Sequence, residues 1–185
     1  MMDIEEITIE EFKKDIYNRY IQIFPRVERR EWTKIELSYQ KNKEKFYKIV
    51  VKDVIIGFFM LEKLDKAHPY YLEYFAIFDE FQNQGYGSKA LQILIDKKVK
   101  DEDLIAEMDK VDKNDLNTVR RSKFYEKLGF KKIDSEYLLY NAFYTPIVYT
   151  KSNEIIKEKY DKIFFDYYNY NCGENAIKAN CRIIK

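Results

Sequence analysis

Histidine is almost missing from this chain: His68 is the only one in 185 residues. Cysteine stops at two, Cys172 and Cys181, with no CxxC spacing and no histidine beside them. A histidine-based triad or a metal centre therefore has little material, and no metal is expected. His68 itself reads as an ordinary loop residue. Glycine and proline number five and three, too few for a loop-dominated or disordered chain. Charge of one sign is missing as well, since 33 basic residues stand against 32 acidic ones. They are interspersed without a basic patch, which argues against nucleic acid or an anionic membrane as partner. No apolar run has the length of a bilayer span, and nothing at the start reads as a cleavable leader, so the expected setting is the cytoplasm. What is plentiful is aromatic, with 17 Tyr and 13 Phe, and the length suits one domain with a sizeable core.

One stretch organises the rest, Tyr70 to Lys98. It begins as a run with buried-strand composition, Tyr71 to Phe78, passes a polar turn at Asp79–Gln84, and reaches Gly85-Tyr86-Gly87-Ser88. Leu91, Leu94 and Ile95 then fall on one face of a helix. A strand running through a glycine-punctuated turn into a helix builds an anion site. Glycine lets backbone approach a ligand closely, and the free N–H groups of a helix start carry positive partial charge. The same spacing also serves as a plain tight connection. Ala90 stands where a dinucleotide fingerprint would place its third glycine, which that fingerprint permits. The mid-chain position, after other strands, argues against a nicotinamide cofactor.

Around this stretch the pattern predicts a first strand at Ile4–Thr8 and a helix from Ile9 to about Phe24, stopped by Pro25. A second amphipathic stretch covers Arg29–Gln40, and a hairpin pairs Phe46–Val51 with Val54–Leu61. Gly57 in the second arm suggests a bulge or a close backbone approach. A strand at Leu104–Val111 and a helix at Leu116–Leu128 capped by Gly129 follow, then strands at Phe130–Ile133, Tyr137–Tyr140 and Ile147–Thr150 around Pro146. The tail promises an aromatic-faced helix with Asn153 as its cap, and a short helix over Ala176–Ile184. The expected fold is α/β: a central, mostly antiparallel mixed sheet with helices on both faces. Residues 1–150 read as the main domain and 151–185 as a helical extension.

Two acids interrupt apolar strands, Glu73 and Glu107. A carboxylate there is costly unless paired or functional, and desolvation raises its proton affinity toward that of a general base. A satisfied structural acid paired with Lys or Arg is the competing reading. Tyr125, in Phe124-Tyr125-Glu126-Lys127-Leu128-Gly129-Phe130, is either a core aromatic or a phenol able to donate a proton to a departing thiolate.

Together these blocks resemble the GNAT superfamily of acyl-CoA-dependent N-acyltransferases. Gln82-x-x-Gly85-x-Gly87 is similar to its pyrophosphate motif, and Phe124-Tyr125-x-x-x-Gly129-Phe130 to its second motif; the resemblance spans roughly Ile4 to Thr150. It implies acetyl-CoA as cosubstrate and an amine as acceptor. The cofactor would enter a V-shaped opening between the strand of Ala76–Ile77 and the strand of Glu107. Ala76 and Ile77 would hold the pantetheine and thioester, while Gln82, Gln84, Gly85, Tyr86, Gly87 and Ser88 would form the pyrophosphate turn. Tyr125 would be the proton donor to sulfur, and Glu73 or Glu107 the base. Many members carry Asn and Ala upstream of the Phe-Tyr pair where this chain has Thr118 and Arg121; the adjacent Asn117 is the candidate for that cofactor contact. Arg120 and Arg121 could bind a carboxylate or a CoA phosphate, or form a solvated face. The resemblance leaves open a non-catalytic acyl-CoA-binding module and a protein or peptide N-acetyltransferase beside the small-amine enzyme. Three placements stay open for the tail: packed on the sheet, covering the acceptor site, or mediating a homodimer.

Overall fold

The computed structural model describes residues 2–184. Its strands are β1 (Met2–Ile7), β2 (Glu44–Val51), β3 (Val54–Glu62), β4 (Tyr70–Ile77), β5 (Leu104–Asp109), β6 (Lys131–Lys132), β7 (Tyr137–Leu139), β8 (Ala142–Tyr149) and β9 (Cys181–Ile183). The helices are α1 (Ile9–Asp15), α2 (Tyr17–Ile23), α3 (Trp32–Gln40), α4 (Tyr86–Leu94), α5 (Leu116–Lys127), α6 (Lys157–Cys172) and α7 (Glu174–Asn180). The class is α/β with antiparallel strands and flanking helices, as expected. The chain divides into two compact units, one ending at Lys100 and the other starting at Asp101, so the residues after 150 belong with β5–β8.

In the first unit β1 to β4 pair antiparallel in chain order. One face carries Phe46, Phe58, Met60, Tyr74 and Ala76 and packs on Phe12, Ile16, Tyr20 and Ile35 from α1–α3. Phe12 stacks on Phe46 with ring centroids 4.4 Å apart. α4 covers the other face, where Lys98 lies over the Tyr47 ring. A capping box of Thr8 and Glu11 starts α1 and is worth about 1 kcal/mol. The single helix expected over Ile9–Phe24 is instead broken at Ile16, whose φ is −124°. The break keeps Phe12, Ile16 and Tyr20 all fully buried.

The helix expected from Arg29 begins only at Trp32. Its would-be first turn is pulled inward: the Arg30 N–H donates to the hydroxyls of Tyr20 and Tyr74 at 2.9 and 3.2 Å. Two register skips bend the sheet. Ile49 faces Gly57 while Val50 faces Ile55, which leaves Ile56 unopposed. Met60 faces Tyr74 while Leu61 faces Leu72, which leaves Glu73 unopposed. Such bulges re-aim a side chain and increase local twist.

In the second unit β8 lies between β5 on one side and β6 and β7 on the other, and β9 pairs with β7. The sequence pattern predicts an interruption at Pro146, yet β8 runs through it. β7 pairs with Ala142–Tyr144 and β6 with Ile147–Val148, so the proline falls where one neighbour has ended and the next begins. The missing N–H costs no ladder bond there. α6 starts at Lys157 rather than near Asn153, because Ser152 folds the chain into a turn by accepting from the Glu154 N–H. The helix expected through Ile184 ends at Asn180, and Cys181–Ile183 become β9. The open edge of β7 captures them: Leu139 faces Cys181, and Tyr137 faces Ile183.

α6 is bound to its unit by more than aromatic packing. Buried Asp161 accepts from Ser135 Oγ and Tyr137 Oη, each at 2.6 Å. Tyr137 also meets Phe164 and Phe165 edge-on.

Candidate active site

β4 ends at Ile77 and leads through a 3-10 turn, Asp79–Phe81, into α4. The turn is built by its own glutamines. Gln82 Nε2 donates to the Ile77 carbonyl at 3.0 Å and to Asp79 Oδ1 at 2.7 Å, and Gln84 Nε2 donates to the Glu80 carbonyl at 3.3 Å. Arg19 anchors it from α2 by pairing with Glu80 and lying over the Phe78 ring at 4.9 Å. Asn83 and Gly85 both take positive φ, +60° and +78°. Gly85 is the N-cap of α4, and no side chain caps that helix. The first-turn N–H groups of Tyr86, Gly87 and Ser88 therefore point outward without an intrahelical acceptor. A Cβ built on Gly85 would meet nothing within 4 Å. An open, uncapped helix start with space at its glycine fits a pyrophosphate.

Upstream on the same strand, Ala76 is buried and Ile77 half-buried. A Cβ on Gly57 of β3 would lie 2.3 Å from the Ala76 carbonyl oxygen, so β3 and β4 approach here as only glycine permits. The bulged Glu73 accepts from Arg30 through Oε2 at 2.7 Å. The Arg30 guanidinium also binds Glu44 Oε2 at 2.5 Å, Ser38 Oγ at 2.6 Å and the Lys34 carbonyl at 3.2 Å. Arg30 and Glu44 were not among the expected site residues. The only trace of them in the sequence is a second acid, Glu44, opening an apolar strand; the arginine sits in an ordinary charged stretch. Burial raises the proton affinity of both Glu44 and Glu73, and Arg30 opposes it.

The second unit holds the other candidates. Glu107 is half-buried on β5 opposite Pro146 and accepts a hydrogen bond from the Tyr168 hydroxyl of α6. Tyr125 on α5 is half-buried, with its ring edge-on to Phe124 and Phe130 at 5.1 and 5.2 Å. Burial pushes its phenol up to about 12, with Arg121 opposing and Asp109 adding to the shift. Such a phenol keeps its proton at neutral pH. Asn117 is exposed in the first turn of α5, whose N-cap is Asp115. Thr118 is turned to structure: its hydroxyl donates to the Asp112 and Asp115 carbonyls and accepts from the Asp112 N–H. Arg121 is paired with Asp109. His68 lies in the loop before β4, its Nδ1 2.8 Å from Asp65.

The model of the acetyltransferase (GNAT) family matches residues 9–130. The chain belongs to the GNAT family. No curated protein shows a significant match to it, but solved structures share the fold. A GNAT-family structure from Bacteroides thetaiotaomicron is 22% identical at a TM-score of 0.78, covering 93% of this chain and 99% of its own. The ribosomal-protein-S18-alanine N-acetyltransferase from Escherichia coli is 17% identical at 0.58, over 84% of this chain and 99% of its own. A GNAT acetyltransferase from Elizabethkingia anophelis with acetyl-CoA bound is 15% identical at 0.51, over 80% and 97%. Among the described residues, no helix is long and apolar enough to cross a membrane, and no group of three or more His, Cys, Asp or Glu could hold a metal ion.

Proposed function

We propose that this GNAT protein is an acetyl-CoA-dependent N-acetyltransferase whose acceptor is a primary amine on a small molecule. The observation that carries the reading is the uncapped start of α4 behind Gly85, which suits a pyrophosphate. The E. anophelis relative with acetyl-CoA bound supports the choice of cosubstrate. In this reading the main chain of Gln84 to Ser88 binds the pyrophosphate, with Gln82 bracing the turn. Ala76 and Ile77 hold the pantetheine and the thioester, whose carbonyl is polarised by the amide on the Ile77 side. Glu73 or Glu107 takes a proton from the acceptor nitrogen. That nitrogen attacks the acyl carbon, the C–S bond breaks, and Tyr125 gives its phenolic proton to the departing sulfur. Asn117 is assigned a supporting contact to the cofactor.

Calorimetric titration with acetyl-CoA tests the first half of this reading, with Gly85→Val as the control that blocks the turn. Binding by the wild type and loss in the variant are expected. Absence of wild-type binding overturns the proposal. Acetyl transfer from acetyl-CoA to a panel of tyramine, lysine and an alanyl peptide then tests the second half. Preference for the peptide would favour a protein acceptor, the activity named for the E. coli relative. A second reading, an acyl-CoA-binding module without catalysis, is favoured by one contact, the tail's Tyr168 on Glu107. It predicts binding with no transfer to any amine.

A further inference from the structure

Glu44 and Glu62 stand directly opposite each other across β2 and β3. Both are buried. Facing carboxylates are destabilising unless neutralised. The Arg30 guanidinium enters this place from the chain between α2 and α3 and is shared between Glu44 and Glu73. The bulge at Glu73 is what brings a third acid to the same cation: Glu73 is the residue the β3–β4 register skips. The Glu44 side chain is 0% exposed, and Arg30 and Glu73 are 10% and 9% exposed. Among the described residues, Glu44 Oε1 has no hydrogen-bond partner. Arg30 binds Glu73 through Oε2, one of the two carboxylate oxygens. Around Arg30 stand Ser38 Oγ and the Lys34 carbonyl, which accept from its guanidinium, and the Tyr20 and Tyr74 hydroxyls, which accept from its backbone N–H. Tyr74 donates to the Glu28 carbonyl at 2.6 Å.

We propose that Arg30 and Glu44 are positioning residues for Glu73: the guanidinium fixes Oε2 and leaves Oε1 to the acceptor amine, while Glu44, sharing that guanidinium, keeps Glu73 basic enough to take the amine's proton. The inference rests on the transferase reading above and chooses Glu73 over Glu107 within it. A carboxylate that has an arginine to itself is a weak base, because the positive charge favours its ionised form. Here one guanidinium serves two carboxylates, with Glu62 adding its own field. Burial and the neighbouring acids hold the Glu44 carboxyl well above the ordinary range, and burial raises Glu73. The cluster thus keeps a high affinity for a proton beside a fixed cation. In the reaction the proton leaves the acceptor nitrogen for Glu73 Oε1 as the N–C bond forms, the C–S bond breaks, and the sulfur is protonated separately.

The test compares wild type, Glu44→Gln, Arg30→Lys and Arg30→Gln by two measurements. The first is an isotope-edited NMR titration of glutamate Cδ, with Glu73→Gln assigning the signal, and it needs no substrate. The second is the pH profile of kcat/KM for acetyl transfer to the amine panel. Removing Glu44 gives Arg30 wholly to Glu73, so the Glu73 signal and the acid limb of the profile should move to lower pH. Activity at neutral pH should fall about tenfold. Arg30→Gln should move both to higher pH, and Arg30→Lys should return them part of the way. Opposite shifts are something a merely structural pair would not produce. If Arg30→Gln does not fold, Glu44→Gln and Arg30→Lys still carry the comparison. A Glu73 signal that ignores Glu44 overturns the inference, as does transfer with an unmoved limb; in both cases the transferase reading stands. No transfer by the wild type overturns that reading and the positioning role with it.

Discussion

Replacing Gly57 with alanine should loosen the site at its floor and lower stability, the reverse of what propensity favours. In a strand, alanine is ordinarily better than glycine by about 0.5–1 kcal/mol, because glycine loses more freedom on folding. At Gly57 the added carbon would sit 2.3 Å from the Ala76 carbonyl oxygen, about 0.7 Å short of the 3.0 Å that real contacts of this kind keep. That oxygen is backbone and cannot rotate away. On the other side the new carbon meets Ile77 Cδ1 and Ile49 Cδ1 at 3.0 and 3.1 Å, so β4 cannot yield without disturbing the α4 face. Overpacking of this kind costs about 1–3 kcal/mol. For a chain of this size that lowers Tm by about 2–10 °C. The displaced carbonyl belongs to the segment proposed to hold the thioester, so kcat should fall more than acetyl-CoA affinity. Thermal unfolding followed by circular dichroism, with calorimetry and initial rates, reads all three quantities. A variant as stable as wild type would refute the close approach of β3 to β4, and the role given to Ala76 with it.

Further outcomes follow from single contacts. Gly85→Val meets no neighbour but carries a side chain at φ +78°, so it should lose about 1–2 kcal/mol of stability and most acetyl-CoA binding; retained binding would place the pyrophosphate elsewhere. Tyr125→Phe should cut kcat about a hundredfold and spare acetyl-CoA affinity, and unchanged turnover would remove Tyr125 from the chemistry. Asp161→Ala strands the Ser135 and Tyr137 hydroxyls and should cost about 3 kcal/mol, with Asp161→Asn losing less in chemical denaturation. Because the folded Glu44 holds its proton more tightly than an ordinary glutamate near 4.5, its contribution to stability is complete below that pH. It declines as pH rises through the higher folded value; Glu44→Gln should flatten that decline in unfolding curves taken from acid to neutral pH.

The strand–turn–helix around Gly85 was legible because its signals are local. A buried-strand run, paired glycines and a 3.6-residue apolar repeat all act within a few residues. The same holds for the β2–β3 hairpin and for Gly129, whose φ of +86° ends α5. What escaped the sequence was decided by distant partners. The start of α3 depends on two tyrosine hydroxyls, 10 and 44 residues from Arg30 in sequence, that take its N–H. The course of β8 through Pro146 depends on which strand lies alongside at that residue. The change from α7 to β9 depends on a free edge at Leu139. Glu73 and Glu107 stand out in sequence as acids within apolar runs, but their surroundings differ for reasons no local pattern carries. Arg30 meets the one, and a tyrosine from the tail meets the other.

That difference bears on which acid can accept a proton. Glu107 receives the Tyr168 hydroxyl, a donor from α6, in the tail that lies beyond the stretch matched by the family. Glu73 is tied to a permanent cation, which alone would make it the poorer base. The β4 bulge changes the balance by delivering Glu73 to an arginine already committed to Glu44. A regular strand would have turned residue 73 toward the opposite face, where α4 packs, and left Arg30 and Glu44 as a simple buried pair. Removing the skipped residue from β4 is therefore the most informative deletion. If the register closes, the Arg30–Glu44 pair should survive while transfer is lost, which would separate the fold's use of the cluster from its use in catalysis.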